Sequence, residues 1–400
     1  MRIIMILSFL FSLAFAKVAG LKEIMEKFEK THPAAVAIQK EIKLLQTKTK
    51  LSIVRDPAEF RASSAYAEEN SGISGKEYYF ELNQQFLVPN VKKSLKNSAL
   101  SGVEARILNL KFDFLKLKYS IKNLYKQTCL NRKIYKLRTE NLFELEGFYK
   151  KMQKAYKLGE VSKKDILALE MEKRKAFVEV QSAKNDMTES FLNLKKLLSS
   201  TEIEFDEILC EEGSIKIEDI NYEPEKIVEN SPDILSYKAY IKKLQARLRG
   251  YESTIERFDV SMEYSDELGT KRYLVGVGIP LNFSSSKRQL EKKAIMESIS
   301  LKRTELENLV ASKKAAAMQL LTRLKNVVNN YKTTKKLEDG ARELTSLTLK
   351  SYLAGESSLL ELLISKRELI NLQIETLNFK KRYFETLFEL YKTIGFREDI

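Results

Sequence analysis

The chain has 400 residues, 31% of them charged, with 14 Gly, 6 Pro, no Trp and a formal net charge of +14. So few helix breakers in so long a chain argue against a string of loop-rich globular domains and for long helices. The basic balance would suit a nucleic-acid partner in the cytosol, but Lys and Arg also solvate helix faces, and the N-terminus points out of the cytosol.

Met1-Arg2 supplies a small positive start, Ile3 to Leu13 is almost wholly apolar, and Ala14-Phe15-Ala16 has the small-x-small form of a cleavage site. Residues 1–16 therefore read as a signal peptide, too short in its apolar part for a transmembrane helix. No Cys follows the cleavage site, so there is no lipid-anchor signal. No later segment approaches 18 consecutive apolar residues, so a membrane location for the mature chain would require a β-barrel. His32, beside Pro33, has no metal-ligand companions and reads as a surface residue. Cys129 and Cys210 are the only cysteines; export would permit a bridge between them, and their spacing leaves the redox state open.

The elements then come in two similar rounds. A short helix leads into Pro33, and an amphipathic helix follows over about 33–51. Two strand-like stretches come next. Glu59 to Glu69 places Phe60, Ala62 and Tyr66 on one side, and in the next stretch Tyr78, Phe80, Leu82, Phe86 and Val88 alternate with polar residues. A very long helix is expected over about 91–156. Its apolar residues Leu100, Val103, Ile107, Leu110, Phe114, Leu117, Ile121 and Leu124 step by three and four, the heptad seam of a coiled coil. A Gly-Glu turn and a return helix near 162–199 close the first round. The segment 200–224, with Ile203, Phe205, Ile208 and Leu209 among acids, is expected to pack outside the helices.

The second round starts at Pro232 with a helix over about 232–255. A strand from Phe258 to Ser265 follows, then a polar turn around Glu267 to Thr270. Tyr273, Val275, Val277, Ile279 and Leu281 form one face of the next strand. A helix over about 285–353 and a return helix near 358–395 finish it, the latter keeping Ile370, Ile374, Leu377, Phe384, Phe388 and Tyr391 in phase. Tyr156 to Ser162 (YKLGEVS) reappears as Tyr352 to Ser358 (YLAGESS) at an offset of 196, and Lys27 to Pro33 resembles Lys226 to Pro232 at 199. Two matches in one order at nearly one offset imply a tandem duplication, with repeats of about 17–199 and 216–395 in a single 17–400 unit.

The strands are about nine to eleven residues long, enough to cross a bilayer at a tilt. Four strands cannot close a membrane barrel, and open edges cannot face lipid. Two copies would give eight strands with a filled interior; three would give twelve with room for a lumen. The expected fold is therefore mainly α with a small β part. Long antiparallel coiled-coil hairpins would form an α-barrel, and four transmembrane strands per chain would join a shared trimeric β-barrel.

In these features the chain resembles the TolC-like outer-membrane efflux family: the helix entries at Pro33 and Pro232, the strand end Val275 to Leu281 (VGVGIPL), and both Tyr-x-x-Gly-Glu turns. The resemblance spans nearly the whole mature chain. It implies a homotrimer in outer-membrane lipid whose tunnel crosses the periplasm, served by a periplasmic adaptor and an inner-membrane pump. It also implies that the turns are adaptor-contact tips, formed by Tyr156, Leu158, Gly159 and Glu160 and by Tyr352, Ala354, Gly355 and Glu356. Glu361 matches an acidic pore-constriction position, although Ile364 and Ser357 stand where relatives carry a second acid and a basic partner; the alternative role for Glu361 is a helix-start carboxylate. No catalytic, cofactor or metal-ligand set is discernible, and no nucleic-acid partner is expected. The competing reading is a soluble periplasmic coiled-coil scaffold or adaptor-like protein; a third keeps the channel and exports proteins.

Overall fold

The computed structural model describes residues 18–51, 54–68, 70, 72–199, 205–211, 213–215, 228–280 and 286–396. The expected signal peptide, the helix expected to lead into Pro232, Ile203 and Leu281 lie outside these residues. The described chain begins with β1 (Val18–Ala19), α1 (Leu21–Thr31), α2 (Pro33–Leu51), β2 (Glu59–Glu68) and β3 (Ser74–Leu87). It continues through α3 (Pro89–Lys157), α4 (Lys163–Leu198), β4 (Glu207–Ile208), α5 (Pro232–Gly250), β5 (Arg257–Glu267) and β6 (Thr270–Gly278). It closes with α6 (Ser286–Leu353) and α7 (Leu359–Ile394).

The chain forms two compact units, one comprising the residues up to Val36, Phe114–Glu223 and those from Ala316 onward, the other Ala37–Asp113 and Pro224–Ala315. Helices α3 and α6 have 69 and 68 residues, each about 100 Å of helix at 1.5 Å per residue. The first unit contains both helix reversals. One buried cluster in it joins Ile24 and Phe28 of α1, Ile121 and Tyr125 of α3, and Leu194 and Leu198 of α4 with Phe205 and Ile208. The short strands β1 and β4 pair in parallel there. Cys129 and Cys210 are joined by a disulfide, which staples this connector to α3. Arg132 donates to the Ile208 carbonyl at 2.9 Å, and the Tyr125 hydroxyl to that of Leu209. The described part of the 200–224 segment is thus a clasp with a buried apolar edge, while Leu209 stays exposed.

Three sequence expectations are corrected. His32 is buried at 9% exposure, not a surface residue. Its ring lies 4.7 Å from that of Phe28, and Nδ1 accepts the Ala34 N–H, capping the start of α2. Helix α5 stops at Gly250, short of 255, because Arg288 takes up the carbonyls of Tyr251 and Ser253 and directs the chain into β5. In α3 the fully buried stripe is Ala105, Phe112 and Tyr119, a heptad apart, whereas Leu100 of the expected seam is 48% exposed and, of that seam, only Ile121 is fully buried.

The second unit carries a four-stranded antiparallel sheet in the order β2-β3-β5-β6, so that the hairpins of the two rounds meet at β3 and β5. Glu81 faces Glu263 and Leu82 faces Met262 across that seam. Strands β2 and β6 are its edges.

Candidate functional site

Two places in the molecule present features that a soluble core does not call for: the helix reversals and the sheet. The reversals share one backbone design. Gly159 and Gly355 take φ of +78° and +79°, the left-handed conformation that a residue with a Cβ resists. At the first, the Gly159 N–H donates to Tyr156 O at 3.0 Å and the Glu160 N–H to Ala155 O at 3.0 Å. At the second, the Gly355 N–H donates to Tyr352 O at 3.1 Å and the Glu356 N–H to Ser351 O at 2.9 Å. This paired closure of orphan carbonyls is a Schellman motif, and it explains why the Tyr-x-x-Gly-Glu spacing recurs.

The return helices are capped in related ways. Ser162 accepts the Asp165 N–H at 3.1 Å. Ser358 accepts the Glu361 N–H at 3.2 Å, and the Glu361 carboxylate accepts the Ser358 N–H at 3.0 Å, completing a capping box. Glu361 is exposed and occupied as a cap, which accounts for an acid at this position without a pore.

The side chains diverge where the backbones agree. Leu158 is 74% exposed and Tyr156 is also exposed. Gly159, Glu160, Ala354, Gly355 and Glu356 are exposed as well. Tyr352 is half-buried: its hydroxyl donates to Met152 Sδ at 3.5 Å, its ring meets Phe148 edge-on, and burial with the nearby Asp165 charge pushes its pKa up. It belongs to a cluster with Leu145 and Met152 of α3, Leu169 of α4, and Leu359 and Leu363 of α7. That cluster brings the two reversals to one end of the first unit. Sequence reasoning missed Leu353, 75% exposed beside the second turn, and Leu360; an apolar residue next to a turn with no helix face to join was the available signal.

The sheet is inside out. Tyr78, Phe80 and Leu82 of β3 are exposed, while Glu77, Tyr79, Glu81 and Asn83 between them are partly covered. Registry extends the same apolar face across all four strands: Phe60 lies opposite Leu82, Leu82 opposite Met262, and Met262 opposite Val275. Val275 is 71% exposed. Rings follow one another across this face, Phe60 stacked on Phe80 at 6.3 Å, Phe80 on Tyr264 at 6.1 Å and Tyr264 tilted against Tyr273 at 5.1 Å, and Phe86 stacks on Phe258 at 5.3 Å near the helix-joined end. The opposite face is mostly polar and internally bonded, with Leu274 exposed beside Glu263 as its apolar exception. Gln85 donates to Asp259 at 3.0 Å and the Tyr79 hydroxyl to Glu77 at 2.7 Å, and Arg272 pairs with Glu267 at 2.9 Å. Apolar-out, polar-in alternation over strands of this length suits a barrel wall in lipid. Among the described residues no helix is long and apolar enough to cross a membrane, and no group of three or more His, Cys, Asp or Glu could hold a metal ion.

Comparison with solved structures places this arrangement. The crystallised CusC, described as forming a transmembrane channel, superposes with a TM-score of 0.77 over 94% of this chain and 91% of its own, at 12% identity. The chain has an outer-membrane channel fold. VceC, an outer membrane protein of Vibrio cholerae, matches at TM-score 0.75 with 13% identity, covering 94% of this chain and 96% of its own. The open-state MtrE outer membrane channel of Neisseria gonorrhoeae matches at 0.72 with 16% identity, over 95% and 90%. No protein-family model and no curated protein matches the chain. The fold is therefore kept by pattern rather than by residue identity, since alternation and heptad spacing survive substitution.

Proposed function

We propose that the chain is one protomer of a homotrimeric outer-membrane channel, a passive conduit for an efflux or secretion system, and has no enzymatic activity. The inside-out sheet carries this reading. An apolar face open on every strand, with unpaired edges at β2 and β6, is unstable in water and equally unstable in lipid until its edges close. Three copies supply twelve strands, and β6 of one pairs with β2 of the next; the polar face then lines the lumen. The half-exposed seam of α3 receives neighbouring helices in the same assembly.

In this reading the helices stand in the periplasm as a tunnel, and an inner-membrane pump working through a periplasmic adaptor supplies the cargo. The adaptor docks on the reversal apices, where Leu158, Gly159, Glu160, Ala354, Gly355 and Glu356 are exposed; Tyr156 flanks that contact, while Tyr352 supports it from within. Three copies of Glu361 would ring the constriction while also capping α7. A tandem duplication explains why the two rounds of elements follow one plan.

The test is extraction of the mature protein followed by size exclusion with light scattering. A trimer that requires detergent is the expected result. A monomer or dimer stable without detergent would overturn the channel and leave a periplasmic scaffold. Conductance of Glu361→Gln in planar bilayers then separates the roles of that residue: a change in cation preference marks the constriction, and none leaves only the cap.

A further inference from the structure

We infer that the sheet-proximal ends of the helices form a cationic collar that binds the phosphate headgroups of anionic phospholipids in the leaflet on the helical side. The inference rests on the barrel reading above and adds to it a lipid class and a surface.

The charge of this chain is concentrated. Residues 48–58, 88–96, 247–257 and 279–293, the four segments where helices join strands, hold thirteen Lys and Arg against four Asp and Glu. That net +9 is most of the chain's +14. Residues 66–78 and 265–272, which contain the two hairpin turns at the other end of the sheet, hold three cations against five acids. Positive charge thus marks one end of the apolar face only.

The helix starts show where part of that charge sits. Helices α1, α4, α5 and α7 each place an acid in the first turn, at Glu23, Asp165, Asp233 and Glu361. Helices α2, α3 and α6 have none, and of these α3 and α6 follow the strands. They open instead with Lys92 and Lys93, and with Lys287 and Arg288. Cations at a helix N-terminus oppose the helix dipole, which an anion held over them offsets; Arg288 has one in Glu256. Lys92, Lys93, Lys287, Lys292 and Lys293 are exposed, with stems long enough to reach along the apolar face while the ammonium stays wet.

These segments form one surface. The Val88 N–H donates to Glu256 O at 3.0 Å, joining the start of α3 to β5. Arg288 pairs with Glu256 at 2.8 Å and donates to Ser253 O, joining α6 to the end of α5. The Tyr251 hydroxyl donates to Glu291 at 3.2 Å. From the other hairpin Arg55 lies 4.7 Å over the ring of Phe86, an apolar-face residue. The collar therefore continues directly from the lipid-facing rings, at the depth where headgroup phosphates lie.

The decisive experiment reconstitutes the mature full-length protein into phosphatidylcholine vesicles with and without a minor fraction of phosphatidylglycerol and follows thermal unfolding. Phosphatidylglycerol is expected to raise the melting temperature by several degrees, an increment that disappears at molar salt, where screening acts within ~3 Å. Replacing Lys92, Lys93, Lys287 and Lys292 together by Gln should leave the phosphatidylcholine melt intact and abolish most of the increment; in vesicle partition each replacement should cost roughly fivefold. Inorganic phosphate at matching concentration should do nothing, and stabilisation by it would overturn the lipid assignment. Equal melts in both lipids, for protein inserted in both, overturn the collar and leave the channel reading standing. Failure to insert into either overturns both. Should the fourfold variant not fold, the wild-type salt titration decides: an increment that survives molar salt overturns the collar.

Discussion

The clasped region of the first unit and the sheet of the second put their apolar residues in opposite places. Around the Cys129–Cys210 bridge, Ile24, Phe28, Tyr125 and Leu194 are fully enclosed, as water demands of such side chains. On the sheet, Phe60, Tyr273, Val275 and Val277 are each more than 60% exposed, while their polar neighbours bond among themselves. One chain thus carries two hydrophobic strategies. The difference teaches what each part needs: the first region makes its own apolar interior, and the second presents an open apolar face that, in the proposed assembly, lipid and further copies would cover.

The strongest way to break this comparison is to charge the open face. Val275→Lys with Val277→Lys should abolish detergent-stable oligomer on semi-native gels, at about 2–4 kcal/mol for each Lys near the bilayer midplane. Glu263→Lys on the polar face, opposite Glu81, should be tolerated. Equal behaviour of the two variants would mean that the apolar face does not meet lipid.

Removing the bridge probes the other strategy. With the cysteines 81 positions apart in sequence, Cys129→Ser with Cys210→Ser should cost about 4–5 kcal/mol on the chain-entropy estimate. Denaturant melts with and without reductant read this out, and an unchanged midpoint would make the apolar clasp sufficient by itself. Next in size come the reversals. A Cβ at Gly159 or Gly355 would meet nothing within 4 Å, so Gly→Ala should cost only the left-handed backbone term, about 1–2 kcal/mol at either position. Clearly unequal costs would show that the surroundings of the two turns, not their shared backbone, set their stability.

The smallest effect belongs to His32, whose burial lowers its pKa below the ordinary 6.5 while a backbone hydrogen bond to Leu197 partly offsets this. A depressed base is neutral in the folded state and protonates first in the unfolded chain. Stability should therefore be full above pH 6.5, fall as pH drops through that value, and level off below the folded pKa. His32→Asn should flatten this slope in melts between pH 7 and 5; an unchanged slope would assign it to other groups.

Much of this molecule was legible because its rules are periodic. Heptad steps, strand alternation and two Gly-Glu turns gave helix and strand ranges within a few residues of those observed, except at the end of α5, where Arg288, 38 residues beyond Gly250, ends the helix from outside. The candidate tips were legible only as backbone. Gly159 and Gly355 declare their turns through a conformation that local sequence dictates. Tyr156 and Tyr352 occupy matching positions, yet one faces solvent and the other fills a cluster supplied by α3, α4 and α7. The same limit applies to α3, where the buried stripe depends on which helices stand beside it.

The sequence by itself determined the elements, their doubled order, the two turns and the two-faced strands, because each follows from spacing within a few residues. Tertiary structure decided the Cys129–Cys210 pairing, the burial of His32, the capping role of Glu361 against the Ser358 backbone and the order β2-β3-β5-β6. Most of these depend on contacts between residues far apart in the chain, and even the local Glu361 cap requires a helix start to be in place. Such contacts are selected by packing and hydrogen-bond satisfaction, which no local pattern encodes.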